Sequence, residues 1–359
     1  MWRQRLLAST VTALLVMSSP VIGCNPLEST ECPADAALGM AIDVDFTQGA
    51  VDSFTGSGSP DYGSDGVTFT VSKGGDAPQL NSIFTIMFGR VEVTMKAAPG
   101  AGIVSSLVLE SDTLDEIDME WLGSDPDEVQ SNYFGKGQTT TWNRGQFHQV
   151  PGTQTGFITY TVDWTEDRIV WMADGTVLRT LEAADAEDGQ YPQTPMQVKM
   201  GAWAGGDPDY NPSGTVKWAR GPTVYSDGPF SMVVRSVAVT DYSTGSEYRY
   251  TDTSGSWQSI EAVGGEVNGN VGQDDVTATA TATALVTSAV SVPVGGGIGT
   301  TATQTGWPWD DTTAPTVGSI PDGWRMTSEG KLIRDSAASL TPRPAHLLPL
   351  VLAAVVLLV

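Results

Sequence analysis

The run Asp115-Glu116-Ile117-Asp118-Met119-Glu120 concentrates the chemistry this sequence can offer. From Glu116 onward acidic and apolar residues alternate, which is the period of an extended strand. Successive strand side chains point to opposite faces, so Glu116, Asp118 and Glu120 share one face and Ile117, Met119 and Trp121 the other. Asp115 falls out of phase. Neighbouring carboxylates then stand about 7 Å apart at Cα and the outer pair about 13 Å. A strand bent toward its acidic face can bring two Glu carboxyls to about 5–5.5 Å, the separation used in retaining glycoside hydrolysis. That reaction needs one ionised carboxylate as nucleophile and one protonated carboxyl as acid. Two other readings fit the same pattern: a solvated strand face in a chain with 42 acids, and a calcium site built from hard oxygen ligands. The only histidines are His148 and His346 and the only cysteines Cys24 and Cys32, a poor set for transition-metal chemistry. No metal and no cofactor is expected.

A strand at 114–122 needs neighbours, and the sequence supplies them. The run Gly89-Arg90-Val91-Glu92-Val93-Thr94-Met95-Lys96 puts Val91, Val93 and Met95 on one face and charged or hydroxyl groups on the other. Residues 103–109, 158–164 and 168–172 read as further strands, and Ser64-Asp65-Gly66, Ala173-Asp174-Gly175 and Ser226-Asp227-Gly228 as turns. Short alternating runs between turn signals suggest an all-β sandwich or jelly roll, with the acidic trio lining a concave sheet face that would serve as a groove. No helix longer than a turn or two is expected, except near 180–186. Gln130 and Asn132 share a face on the next strand and could reach the groove. Tyr133, Phe134 and Trp142 read equally as platforms or as core, and His148 as structural.

The ends carry processing signals. Met1-Trp2-Arg3-Gln4-Arg5 followed by an apolar stretch to Gly23 describes a secretory signal peptide over 1–23. Val21-Ile22-Gly23-Cys24 also permits an acylated-cysteine lipoprotein. Residues 347–359 are apolar to the last residue but short of the roughly 20 a spanning helix needs. The small triplet Ser336-Ala337-Ala338 and a polar spacer over 339–346 precede them, the order of a glycosylphosphatidylinositol (GPI) signal with Ser336 as the attachment site. A genuine tail-anchor helix is the alternative. Cys24 and Cys32 read as one local disulfide in an exported chain. The expected organisation is therefore a signal peptide at 1–23, a catalytic domain at 24–262, a Thr/Ser/Gly-rich disordered stalk at 263–336 and a removed anchor signal at 337–359. Repeats such as Thr277-Ala278-Thr279-Ala280 suggest O-glycosylation of the stalk, whereas no Asn-x-Ser/Thr sequon occurs. Residues 306–335 carry no functional reading. The net charge of −24 repels nucleic acid and anionic lipid and suits a neutral polysaccharide partner. A membrane would be met only through the anchor, at the cell surface.

The sequence closely resembles the fungal Crh family of cell-wall transglycosylases, within glycoside hydrolase family 16. The likeness spans nearly all of 24–263 and is carried by Cys24-Asn25-Pro26 with Cys32-Pro33, Phe88-Gly89-Arg90-Val91-Glu92-Val93, Lys96-Ala97-Ala98-Pro99-Gly100, residues 115–123, Asn132-Tyr133-Phe134-Gly135-Lys136-Gly137 and Trp203-Ala204-Gly205-Gly206-Asp207. It implies Glu116 as nucleophile, Asp118 as its helper and Glu120 as the acid/base that also touches sugar. It further implies Lys199, Trp203 and Thr215 as sugar-binding positions, with Trp203 stacking a ring. The loop between Trp203 and Thr215 is about one residue longer than the family pattern, and Met119 stands where the family has Trp. The implied activity is cleavage of a chitin donor through a covalent glycosyl-enzyme and transfer to a β-1,3/β-1,6-glucan acceptor. Plain endo-hydrolysis of chitin or β-glucan, a lectin-like wall-binding module and a structural mannoprotein are the alternatives.

Overall fold

The computed structural model describes residues 24–138, 144–187 and 189–271, and beyond them the backbone of strands Thr277–Ala280, Trp324–Met326 and Leu332–Arg334. The expected signal peptide, Trp142, Ser336 and the anchor signal lie outside the described residues. Among the described residues no helix is long and apolar enough to cross a membrane.

Two stacked sheets carry the fold. Their strands in chain order are β1 (Ala41–Asp45), β2 (Phe54–Ser57), β3 (Gly66–Val71), β4 (Gln79–Ile86), β5 (Gly89–Lys96), β6 (Ile103–Ser111), β7 (Glu116–Leu122), β8 (Glu128–Phe134), β9 (Gln146–Gln149), β10 (Ile158–Trp164), β11 (Arg168–Ala173), β12 (Thr176–Glu182), β13 (Met196–Ala204), β14 (Phe230–Asp241) and β15 (Thr277–Ala280). One sheet runs β9-β8-β7-β6-β13-β4-β2, and the other β12-β11-β10-β5-β14-β1-β15 with β3 also on β14. This is the expected sandwich. Alternation drives it: on β5, Val91, Val93 and Met95 are fully buried while Arg90, Glu92, Thr94 and Lys96 are partly exposed. The inner faces meet in one core, to which β7 contributes Ile117, Met119 and Trp121, all fully buried. Side chains of this size contribute about 1.5–3 kcal/mol each when buried. Trp121 packs edge-on to Tyr160 of β10, ring centroids 4.6 Å apart, tying the two sheets beneath the acidic strand.

One expectation changes. The segment 180–186 is the end of β12 followed by a 3₁₀ turn, Ala183–Asp185; its alanines favoured a helix, but Thr180 and Leu181 pair with Val170 and Ile169. A six-residue helix, α1, lies at Ser213–Trp218. Past Ala262, Asn270 donates from Nδ2 to the carbonyls of Gly39, Asp241 and Ser243 at 3.1, 3.0 and 2.8 Å. Further on, β15 pairs in parallel with β1, from Thr277 opposite Ala41 to Ala280 opposite Val44. The Thr-Ala repeat there finds the unpaired edge of a strand, and an edge accepts any extended backbone. At the other end, Cys24 and Cys32 form a disulfide.

Candidate active site

The acidic strand is fixed at its entry by Asp115. Leu114 turns the chain with φ +61°, and the fully buried Asp115 accepts from the amides of Lys136 (2.9 Å) and Gln193 (2.8 Å) and the hydroxyl of Thr194 (2.8 Å). Burial raises its pKa, opposed by Lys136, whose Nζ lies 3.9 Å away, and by those donors. Asp115 is thus a structural anchor. From Glu116 the chain is extended, and the face it presents alternates as expected: Glu116 and Glu120 are half-buried, Asp118 between them only 3% exposed, and the intervening Ile117 and Met119 lie in the core. The indole of Trp171, reaching across from β11, donates to the carbonyl of Asp118 at 3.1 Å. The middle of the acidic strand is therefore held from beneath by a side chain of the opposite sheet.

Register lays out the face above. Directly paired strand residues share a face, so three rows cross the sheet. Phe134, Glu116, Glu110 and Gln197 form the first; Asn132, Asp118, Val108, Lys199 and Asn81 the second; and Phe147, Gln130, Glu120, Ser106 and Gly201 the third. The first row brings a fourth carboxylate, Glu110 of β6, opposite Glu116. Its charge is met by Lys199 of β13, whose Nζ donates to Glu110 Oε2 at 2.9 Å with both side chains nearly buried. From the outer side Arg144 packs its guanidinium 4.7 Å over the ring of Phe134 and bonds Gln190 Oε1 and, at 2.7 Å, Gln138 O. Burial lowers the Arg144 pKa, and the charges of Glu187, Tyr133, Glu116 and Asp118 oppose that shift. The Glu116 end of the strand is thus bracketed by two cations, one already paired to Glu110. A single acidic face with its outer groups reaching solvent and its middle group buried is suited to divide proton transfer and covalent attack between two carboxyls.

The remaining expected positions fall as follows. Trp203 is only 4% exposed; Trp218 of α1 stacks on it, centroids 6.1 Å apart and planes 23° apart. With Val104, Val108, Leu122 and Ala219 these form a small apolar cluster on the groove side of the sheet. The half-buried Trp218, more than Trp203, presents the outer aromatic surface there. Gln130 faces the groove, nearly buried, its Oε1 accepting from Trp218 Nε1 at 3.2 Å. Asn132 is half-buried on the same face. Thr215 is buried within α1, where its carbonyl accepts from the Ala219 amide. Tyr133 pairs with Ile117 and lies in the core, so it is no platform, whereas Phe134 faces the groove beneath Arg144. His148 is half-buried with Nε2 2.8 Å from Ser131 Oγ. Burial lowers its pKa, reinforced by Arg179, in keeping with a structural role. Among the described residues no group of His, Cys, Asp and Glu is arranged to hold a metal ion.

Sequence reasoning passed over Glu110, Arg144 and Trp218. Glu110 was within reach, because the period of two through Val104, Ser106 and Val108 ends on it. Trp218 follows Thr215 at helical spacing. Arg144 had no signal, since only the loop closure brings it to the sheet.

Comparison with known proteins places these features in context. Residues 45–220 match glycosyl hydrolases family 16. Crh-like protein 4 of Botryotinia fuckeliana is 54% identical, the alignment covering 94% of this chain and 92% of that protein. Congo red hypersensitive protein 1 of Saccharomyces cerevisiae is 50% identical over 70% of this chain and 49% of its own length. Among solved structures, Crh5 transglycosylase in complex with NAG superposes with a TM-score of 0.65 at 51% identity, covering 67% of this chain and 99% of that one.

Proposed function

The chain belongs to glycosyl hydrolases family 16, among the Crh-like proteins, and from that premise we propose that it is a retaining transglycosylase worked by Glu116, Asp118 and Glu120. The observation that carries the reading is the shared face of β7, with Glu116 and Glu120 open to the groove and Asp118 buried between them. In the first step Glu116 attacks the anomeric carbon of the donor while Glu120 gives its proton to the departing oxygen. The C1–oxygen bond breaks as the C1–Glu116 ester forms. In the second step Glu120, now a carboxylate, takes the proton of an acceptor hydroxyl, whose oxygen attacks C1 and releases Glu116. Two inversions give net retention. Asp118, tied through its carbonyl to Trp171, supports Glu116 from the next position on that face. Lys199, Trp203, Thr215, Gln130 and Asn132 line or underlie the groove and are assigned to sugar binding.

The donor on this reading is chitin and the acceptor a β-1,3/β-1,6-glucan, so the product is a wall crosslink. The likeness to Crh5 transglycosylase, solved with NAG, supports transfer to sugar over transfer to water. The mature protein is proposed to be secreted by cleavage of 1–23 and held at the cell surface by a GPI anchor added near Ser336, with a stalk between anchor and domain. The test is to incubate a labelled chito-oligosaccharide with β-glucan and wild type, Glu116→Gln or Glu120→Gln. Labelled polymer is expected from wild type only, with a loss of about 10²–10⁴-fold in either variant. Free reducing ends without labelled polymer from wild type would defeat transfer, and turnover undiminished in both variants would defeat the assignment of the carboxylates.

A further inference from the structure

Phe147 is one of the few large apolar side chains left open to solvent among the described residues, 44% exposed. It sits on the edge strand β9 opposite Gln130, and Gln130 is opposite Glu120. All three therefore rise from the groove face. Two strand spacings, roughly 10 Å, separate Phe147 from Glu120, which is about the reach of two linked pyranose rings.

The ring is held. The Arg220 guanidinium lies over it, 5.3 Å from the centroid, and is itself fixed by two carboxylates, Asp125 Oδ2 at 2.7 Å and Glu128 Oε1 at 2.5 Å. Glu128 shares the groove face of β8 with Gln130, two residues away. Arg220 leaves α1 with φ +59°, a left-handed conformation uncommon for a side chain of this size. A strained backbone and two ion pairs thus serve to set one cation on one side of one ring, while the ring stays exposed. A solvated edge strand gains nothing from this arrangement. A binding surface gains an immobile aromatic plate with one side covered and the other open.

We infer that Phe147, braced by Arg220, is a platform for a sugar ring of a β-linked glucose or N-acetylglucosamine polymer, on the arm that leaves the carboxylates over β8 and β9. The C–H bonds on the flat side of a β-linked pyranose are its apolar, electropositive surface and meet the negative face of the ring. Such a contact needs no particular hydroxyl, so it accepts either kind of unit. The platform rests on the assignment of Glu116 and Glu120 as the reacting carboxyls.

The test is chain-length dependence in the full-length protein. Wild type, Phe147→Ala, Phe147→Tyr and Arg220→Met are assayed with chito-oligosaccharide donors of increasing length and, separately, β-glucan oligosaccharide acceptors of increasing length. In one series wild-type kcat/KM should step up when the added unit reaches Phe147. Phe147→Ala should remove that step, about three- to tenfold, Phe147→Tyr should keep it, and Arg220→Met should blunt it. The series that responds identifies the arm as donor or acceptor. An unchanged length dependence in both series, or an equal loss at every length, would overturn the platform. Should wild type turn over nothing, the catalytic assignment fails, and calorimetric binding of the same series to wild type and Phe147→Ala then decides the platform by itself.

Discussion

Lys199 and Glu110 offer the sharpest test of how the groove floor is built. They meet at 2.9 Å with side-chain exposures of 4% and 7%, so each is a charge that has lost nearly all its water. Removing one partner strands the other, which costs about 3–5 kcal/mol in comparable buried pairs. For a domain of this size each kcal/mol lowers the melting temperature by about 2–4 °C, so Glu110→Gln or Lys199→Met should each melt roughly 6–20 °C lower. Lys199→Met takes from the Glu110 carboxylate the ammonium it meets at 2.9 Å while Glu116 stays opposite it, and should be the worse of the two at neutral pH. Glu110→Gln/Lys199→Met removes both charges and should recover to within about 1 kcal/mol of wild type or exceed it, because an ion pair this dry contributes little net stability. Urea unfolding of the four proteins followed by circular dichroism closes the cycle. Additive single effects, with a coupling below about 0.5 kcal/mol, would refute the reasoning and leave Lys199 available for substrate alone.

Other outcomes follow from single contacts. Trp171→Phe leaves the buried Asp118 carbonyl without the indole donor and should cost about 1–3 kcal/mol while lowering kcat more than it raises KM; an unaffected kcat would remove Trp171 from the support of the acidic strand. Truncation after Val263 deletes the three Asn270 bonds to Gly39, Asp241 and Ser243 and should destabilise by roughly 1.5–4.5 kcal/mol relative to truncation after Val271; equal stabilities would mean that these bonds contribute nothing net. Burial raises the pKa of Asp241 to about 7 against donors from Tyr248, Gly39, Ser243 and Met87. The folded state therefore holds that proton more tightly than the unfolded chain. Its contribution is fully present below about pH 4 and is lost as pH rises to about 7, so Asp241→Asn should flatten that part of a stability–pH curve; an unaltered slope would contradict it.

Some of this was legible along the chain because it depends on alternation alone. Val91, Val93 and Met95 had to face one way, and Glu116, Asp118 and Glu120 another from Ile117 and Met119, because a strand has a period of two wherever it packs. Cys24 and Cys32 could pair because a sequence separation of 8 lets the chain turn back on itself. Other features answer to the environment of a residue rather than its type. Trp203 meets Trp218, 15 positions further on, only once α1 folds back over the sheet, and Tyr133 and Phe134, adjacent in sequence, separate into core and groove only once β8 is in register with β7. The helix expected near 180–186 gave way to pairing with β11, since ladder hydrogen bonds outweigh the small propensity differences of a short segment.

The amino-acid sequence by itself therefore determined which carboxylates share a face and what reaction they could share. Only the tertiary structure decided what surrounds them. Glu110, Lys199, Arg144 and Trp171 come from three other strands and a loop, 53 residues separating Trp171 from the carbonyl it binds. Contacts of that separation are set by sheet order and inter-sheet packing, for which a linear periodicity carries no information. Phe147 is the same case at the surface: an ordinary residue of a short strand until register places it in line with Glu120.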